Sequence, residues 1–167
     1  MSGGKPLLTI NNCRIYVKRV PPELCERFNI TEGEEVNPIL ALYLLNTKSA
    51  EVVDEHGNSI DASEIVKCFS KPVHPTLFFV FQDLVKRGKR VTFGDYDNEL
   101  IIAGERTLVY VMDEDSVVRA AHLYGIVDRA IKQGYRVLIS VVDMHGDVTY
   151  YEVGKMSFPR IERREAQ

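Results

Sequence analysis

The segment VLISVVDMHGDVTYYEV, residues 137–153, decides the fold of the second half of this chain. Residues 137–142 form a nearly continuous apolar run, interrupted by Ser140 and rich in β-branched side chains, which is typical of a strand buried on both faces. Residues 143–147 supply the polar side chains and the glycine of a tight turn. Residues 148–153 are again rich in Val, Thr and Tyr. The segment therefore predicts a β-hairpin that contains the last strand of the chain.

The sequence before this hairpin alternates between helical and strand patterns. Helices are predicted over residues 76–87 and 117–133, and strands over residues 89–93, 100–102 and 108–112. The last two strands are joined by a short connection that contains Gly104, so they are expected to form a hairpin. Asp115 or Ser116 is expected to cap the second helix. The second half therefore has the predicted order α, β, β, β, α, β, β.

The first half has the pattern of a smaller α+β unit. Strands are predicted over residues 7–20 and 50–53, helices over residues 38–46 and 62–69 with Asp61 as the cap of the second, and one helical turn over residues 24–28. Pro72 and Pro75 interrupt the pattern, so residues 71–75 are the best linker candidate. We therefore predict an α+β N-terminal domain over residues 1–71. A domain with a mixed central sheet follows over residues 72–160, and a polar tail over residues 161–167.

Composition indicates a globular protein that does not span a membrane. The 167 residues are 45% apolar and 27% charged. No apolar run approaches the roughly 20 residues that cross a bilayer, and the N-terminus lacks the apolar core of a signal peptide. Cys13, Cys25 and Cys68 are an odd number without metal-ligand spacing. We therefore expect reduced thiols, a cytoplasmic location, and neither a disulfide nor a zinc site.

Charge argues against an independent nucleic-acid-binding protein. The net charge is −3, whereas such proteins usually carry a basic surplus. One basic cluster, at the end of the helix over residues 76–87, could contact phosphate: Lys86, Arg87, Lys89 and Arg90. The acidic run over residues 113–115 is interpreted as complementing the dipole of the helix that follows it. If the chain works on RNA or DNA, a partner or a local basic patch must supply the attraction.

Generic catalytic motifs are absent from the sequence. There is no phosphate-binding glycine loop, no Gly-x-Ser-x-Gly turn and no histidine pair at metal-ligand spacing. The four histidines are interpreted as structural or solvated: His56, His74, His122 and His145. The turn over residues 143–147 is more informative, since Asp143 and Asp147 project from it. They make either an ordinary polar turn or an acidic knob that docks into a basic pocket.

Three segments together resemble the archaeal tRNA-splicing endonuclease family. They are ILALYLL (39–45) followed by AEV (50–52) and DEHGN (54–58), then FQDLVKRGKRV (81–91), and the hairpin segment at residues 137–153. The hairpin segment is the most specific of the three. The three segments follow the family's order, and the resemblance covers about residues 10–158.

The resemblance implies both a fold and a reaction. It implies an α+β N-terminal domain and an α/β C-terminal domain like that of restriction endonucleases. Family enzymes cut both intron borders of a precursor tRNA at a bulge–helix–bulge motif. The 2′-hydroxyl attacks the adjacent phosphate, which leaves a 2′,3′-cyclic phosphate and a 5′-hydroxyl. A Tyr, a His and a Lys are thought to act as base, acid and transition-state stabiliser, without metal or other cofactor.

This sequence departs from the family pattern at every catalytic position. The position of the Tyr is taken by Ile102 or Ala103, and that of the His falls near Gly104 or Glu105. The position of the Lys is taken by Tyr135 and Arg136, and the loop before the His position is shortened. The resemblance therefore implies a structural subunit that has lost the active site.

Such a subunit would work beside homologous catalytic chains, in an assembly of two catalytic and two structural chains that binds precursor tRNA. The resemblance implies a partner-docking loop with Asp143, His145 and Asp147, and strand pairing through Tyr150, Tyr151 and Val153. Two alternatives stay open. One is an active nuclease with a displaced triad: Tyr96, either His122 or His145, and Lys132. The other is an RNA- or protein-binding module on the same fold.

Overall fold

The structure is a computed structural model that describes residues 4–71 and 74–155. Within these residues the chain forms a mixed α/β fold with two mixed sheets and five helices. The strands are β1 (Leu7–Asn11), β2 (Arg14–Arg19), β3 (Glu35–Val36), β4 (Glu51–Val53), β5 (Val91–Phe93), β6 (Glu99–Ile102), β7 (Thr107–Asp113), β8 (Arg136–Val142) and β9 (Val148–Val153). The helices are α1 (Pro22–Phe28), α2 (Pro38–Asn46), α3 (Ala62–Lys67), α4 (His74–Lys86) and α5 (Ala120–Lys132). The predicted tail over residues 161–167 lies outside the described residues.

The first sheet has the strand order β3-β2-β1-β4. Strand β1 pairs antiparallel with β2 and parallel with β4. Helix α2 begins where the Asn37 side chain accepts a hydrogen bond from the Ile39 N–H at 2.9 Å. Helix α3 begins at the predicted cap, where the Asp61 carboxylate accepts from the Ser63 N–H at 3.0 Å.

The second sheet has the strand order β5-β6-β7-β8-β9. Only β7 and β8 are parallel among the described strand pairs of this sheet, because α5 crosses over between them. Alternate side chains of the central strands face α4 on one side and α5 on the other. The predicted order of the second half, α, β, β, β, α, β, β, is confirmed.

The hydrophobic core is continuous across the predicted domain boundary. Almost the whole of α2 is buried, and it packs against α3 and α4. The Tyr43 and Phe81 rings pack in a T-shaped arrangement with centroids 5.5 Å apart, and Phe81 stacks on Phe93 at the same distance. All strands of the first sheet precede residue 71, and all strands of the second sheet follow it. Helices α2 and α4 nevertheless join the two halves through the Tyr43 and Phe81 rings. The division at residue 71 stays a prediction.

Two helix starts differ from the sequence-based expectation. Helix α5 begins at Ala120 rather than near residue 117, and its N-cap Arg119 makes no capping hydrogen bond through its side chain. The β-branched Val117 and Val118 precede it and do not join the helix, and β-branched side chains have a slightly lower helix propensity. Helix α4 begins at His74, inside the predicted linker.

The prediction of three reduced cysteines is wrong. Cys13 and Cys68 form a disulfide with Cα atoms 5.3 Å apart, although 55 residues separate them in sequence. The fold brings the β1–β2 turn against the end of α3, and spacing along the chain carries no sign of that approach. Cys25 is the free cysteine. Among the described helices, none has the length and apolar character needed to cross a membrane.

Candidate functional site

The residues at the three expected catalytic positions converge at one end of the second sheet. Strand β6 ends at Ile102, which pairs with Thr107 at the start of β7, and Thr107 pairs in turn with Arg136 at the start of β8. Because three strand ends meet here, groups at these positions would share one site. We call this set the degenerate edge: Ile102, Ala103, Gly104, Glu105, Tyr135 and Arg136.

The two charged side chains of the degenerate edge form ion pairs with residues outside it. Ile102 is buried in the core, and Gly104 has φ +84° and open space around it, since a Cβ there would meet nothing within 4 Å. The Glu105 carboxylate pairs with Lys89 at 2.5 Å, and the Arg136 guanidinium pairs with Glu152 at 2.9 Å. Both charged groups of this edge are therefore already neutralised by partners in the same chain.

The docking loop, residues 143–147, lies at the opposite end of the sheet, between β8 and β9. The Asp143 carboxylate accepts hydrogen bonds from the backbone N–H groups of His145 at 2.8 Å and Asp147 at 2.9 Å. Asp143 therefore closes its own turn, as an Asx turn does. The side chains of His145 and Asp147 remain exposed.

Two neighbouring elements hold the docking loop from outside. The Glu114 carboxylate accepts a hydrogen bond from the Met144 N–H at 2.8 Å. Gly146 has φ +82°, and a Cβ there would lie 3.1 Å from the Phe79 ring, so the loop both bends and packs at this glycine. Met144 is 83% exposed at the tip. The loop is thus fixed in shape and presents an uncovered tip.

The acidic run over residues 113–115 does not serve the dipole of α5, contrary to the sequence-based interpretation. Helix α5 begins five residues after this run, beyond the reach of a first-turn interaction. Asp113 instead accepts a hydrogen bond from the Thr76 hydroxyl at 2.5 Å, in the first turn of α4. Glu114 holds the docking loop. The run ties three elements together at one end of the sheet.

Strand β9 is an edge strand, since no described strand pairs with its outer side. Tyr150 points towards α4, where its hydroxyl donates to the Asp83 carboxylate at 2.6 Å. Burial and this hydrogen bond raise the pKa of Tyr150. Tyr151 faces the other way and is 56% exposed, while Val153 is half-buried against the α5 side. Of the three predicted pairing residues, only Tyr151 offers most of its side chain to a partner.

The basic cluster is largely engaged within the chain. Arg87 pairs with Asp83 at 2.8 Å, which raises the pKa of Arg87, and Lys89 pairs with Glu105. Arg90 donates to the backbone carbonyl of Glu26 at 3.1 Å. Lys86 is exposed and makes no ion pair within the described residues. Three of the four predicted phosphate contacts therefore already have partners.

A cleft of about 380 Å³ beside α5 contains Tyr96 and His122 of the predicted displaced triad, together with residues that the sequence did not indicate. We call it the Tyr96 cleft; it is lined by Tyr96, Asn98, Glu99, Ala121, His122, Gly125, Ile126 and Arg129. The Arg129 guanidinium donates to Glu99, which is 3% exposed, and lies 4.4 Å from the centroid of the Tyr96 ring. For Ile126 and Arg129 the available signal was their i+4 and i+7 spacing from His122.

The residues of the predicted displaced triad are only partly brought together. Tyr96 and His122 share the Tyr96 cleft, but Lys132 does not line it and pairs with Asp128 at 2.8 Å. The positively charged side chain in the lining of the cleft is that of Arg129. His145 lies in the docking loop. His74 packs against Phe69, and burial lowers the pKa of His74.

Comparisons with known proteins add no family assignment. No family model matches the chain, and a search of the curated proteins found no match. What the chain does must therefore be inferred from the arrangement of its own residues and from the resemblance carried by its three segments.

Proposed function

We propose that the chain is a non-catalytic, structural subunit of a tRNA-splicing endonuclease. In this proposal it joins two catalytic chains and a second structural chain in the cytoplasm. The assembly cleaves precursor tRNA at bulge–helix–bulge motifs and leaves 2′,3′-cyclic phosphate and 5′-hydroxyl ends. The structural chain orients the catalytic chains so that both intron borders are cut.

The observation that carries the proposal is the chemistry of the degenerate edge. Cleavage by a 2′-hydroxyl needs one group to accept the hydroxyl proton, one to protonate the leaving oxygen and one to neutralise the phosphorane. The three positions meet at one sheet end, but Ile102 cannot transfer a proton there, and Arg136 is paired with Glu152. This arrangement supports the proposal that the chain takes no part in the cleavage chemistry.

The docking loop supports a role in assembly. Asp143, Glu114 and Phe79 fix its shape, so little conformational entropy is lost when the tip is bound. The exposed Asp147 carboxylate is available to a basic pocket of a partner. The open edge of β9 offers a second contact, because an unpaired strand edge can template pairing with another chain.

The charge distribution fits a subunit that leaves most RNA contacts to its partner. The net charge is −3, and Arg87, Lys89 and Arg90 are held by groups of the same chain. Phosphate binding draws on unpaired cations, so the catalytic chain is expected to provide them.

The proposal is tested by mixing experiments with a labelled bulge–helix–bulge RNA. The purified chain alone should not cleave it. A homologous chain from the same genome, with an intact Tyr, His and Lys, should cleave both borders only when this chain is added. Cleavage by this chain alone would contradict the proposal. Failure of the mixture to assemble or to cut would favour a binding module outside tRNA splicing.

One observation favours the alternative of an active nuclease. Tyr96 and His122 line one cleft together with the cation of Arg129. Against it, Arg129 is already paired with the buried Glu99 and is stacked on Tyr96. If the chain alone cleaves RNA, a His122→Ala variant should lose that activity, whereas a His56→Ala variant, changed in an exposed turn, should keep it.

A further inference from the structure

The disulfide between Cys13 and Cys68 encloses most of the N-terminal half. Strands β2, β3 and β4 and helices α1, α2 and α3 all lie between the two cysteines in sequence. Cys13 is exposed in the β1–β2 turn, and Cys68 is the half-buried C-cap residue of α3. Cys68 lies three residues before Lys71, where the N-terminal half ends in the predicted division.

The backbone at Cys13 has a left-handed conformation, which is unfavourable for a residue with a side chain. Asn12 and Cys13 form the two-residue loop between β1 and β2, with φ values of 49° and 61°. Two-residue hairpin loops with both central residues in the left-handed region favour Asn followed by Gly. A side chain at the second position is sterically strained there. Cys13 thus occupies a position at which glycine would be the relaxed choice.

Helix α3 has little support from its own length. It has six residues, too few for a helix to be stable by itself. Its buried residue, Ile65, is fully enclosed in the core, and the element that α3 contacts most is α2. The disulfide adds a covalent link from the end of α3 to the first hairpin.

We propose that Cys13 and Cys68 are a site of oxidation, and that their disulfide is a covalent staple of the N-terminal half. The oxidant is a disulfide, either of low molecular weight or of an oxidoreductase. One cysteine thiolate attacks it and forms a mixed disulfide while one thiolate leaves. The second cysteine thiolate then attacks the protein sulfur and releases the other thiolate. The two protein thiols lose two electrons and two protons, and the oxidant's disulfide is reduced to two thiols.

The staple is tested first by counting thiols in the isolated full-length chain. Denatured without reductant, it should react with a thiol reagent once per chain, at Cys25, and three times after reduction. Closing a loop of this length should raise the melting temperature by about 10 °C over that of the reduced protein. A Cys25→Ser variant is the matched control and should keep the full response to reductant. Three reactive thiols without reductant would overturn the proposal.

A Cys13→Gly substitution should lower the melting temperature without reductant and raise it with reductant. Without reductant it should melt about 10 °C below the wild-type chain, because the staple is lost. With reductant it should melt a few degrees above the wild type, because glycine relieves the left-handed strain at position 13. If this variant melts above the wild type in both conditions, Cys13 is not bridged. Cys68→Ser should match reduced wild type in both, and a response of Cys68→Ser to reductant would also contradict the proposal.

Discussion

The Asp143 carboxylate accepts a hydrogen bond from the backbone N–H of Asp147 at 2.9 Å, so the two acidic residues of the docking loop have different roles. Asp143 closes the turn, and its charge is turned inward on backbone donors. The Asp147 side chain is exposed and makes no ion pair within the described residues. We therefore expect Asp147 to make the main electrostatic contact with a partner.

Substitutions at these two positions should separate folding from assembly. Asp143→Asn keeps an oxygen for both N–H groups, whereas Asp143→Ala should lower the free energy of unfolding by about 1 kcal/mol. Asp147→Asn should leave the melting temperature unchanged. If the contact is desolvated in the assembly, losing the Asp147 charge should weaken binding by about 2–5 kcal/mol.

The readout is the assembly mass by light scattering, together with RNA cleavage by the mixture. The Asp143→Asn, Asp147→Asn double variant should stay folded, fall from four chains to pairs and lose cleavage. A double variant that still formed four chains and cut both borders at moderate salt would show that the loop is only a polar turn.

The open edge of β9 gives a second prediction. Tyr151 is 56% exposed, so Tyr151→Lys should leave the stability of the isolated chain nearly unchanged but place a charge on the pairing edge. Co-purification with the catalytic chain should fall at least tenfold. Val66→Lys is the control, since Val66 is a similarly exposed apolar residue on α3. Equal co-purification of both variants would argue against pairing through β9.

The pair of Arg129 and Glu99 gives a prediction about stability. Glu99 is 3% exposed, so Arg129→Met should leave a buried carboxylate without its partner and cost about 3 kcal/mol in urea unfolding. Adding Glu99→Gln should recover much of the loss. Lys132→Met removes an exposed partner of Asp128, which keeps its pair with Lys155, and should cost well under 1 kcal/mol. An Arg129→Met effect as small as that of Lys132→Met would contradict this description of the cleft.

Tyr150 predicts how stability depends on pH. Its pKa is raised in the folded chain above the ordinary value of 10.0, so unfolded chains lose this proton first as pH rises. The folded state then holds more protons than the unfolded state, and stability should fall above pH 10. The melting temperature of the wild type should therefore decline more steeply from pH 10 to 11 than that of Tyr150→Phe. Parallel curves would mean that Tyr150 is not held as described.

The regular elements could be predicted from the sequence because local patterns determine them. The run at residues 137–142, the glycine-containing turn after it and the Asp61 cap each depend on neighbouring residues. The late start of α5 was missed because Ser116 is a good cap in isolation. The chain instead makes a turn there, with the Ser116 N–H donating to the Asp113 carbonyl at 3.0 Å.

The contacts between distant residues could not be predicted in this way. Cys13 meets Cys68 across 55 residues, and Glu99 meets Arg129 across 30. Both contacts exist only once the sheets and helices have packed. Of the candidate site, the predicted hairpin accounts for the pairing of Ile102 with Thr107, whereas the pairing of Thr107 with Arg136 forms only when α5 crosses over between β7 and β8. The sequence did not indicate the internal partners of Glu105 and Arg136.

The measurement that tests the central claim most directly is the single-turnover cleavage rate of an assembly built with a Glu105→Ala, Arg136→Ala double variant of this chain. Both residues form exposed ion pairs, so the variant should fold and assemble normally. If this chain contributes structure and no reacting group, the rate at both intron borders should match that of the wild-type assembly within about twofold. A cleavage rate reduced tenfold or more, with assembly intact, would contradict the account and show that Glu105 or Arg136 takes part in the reaction.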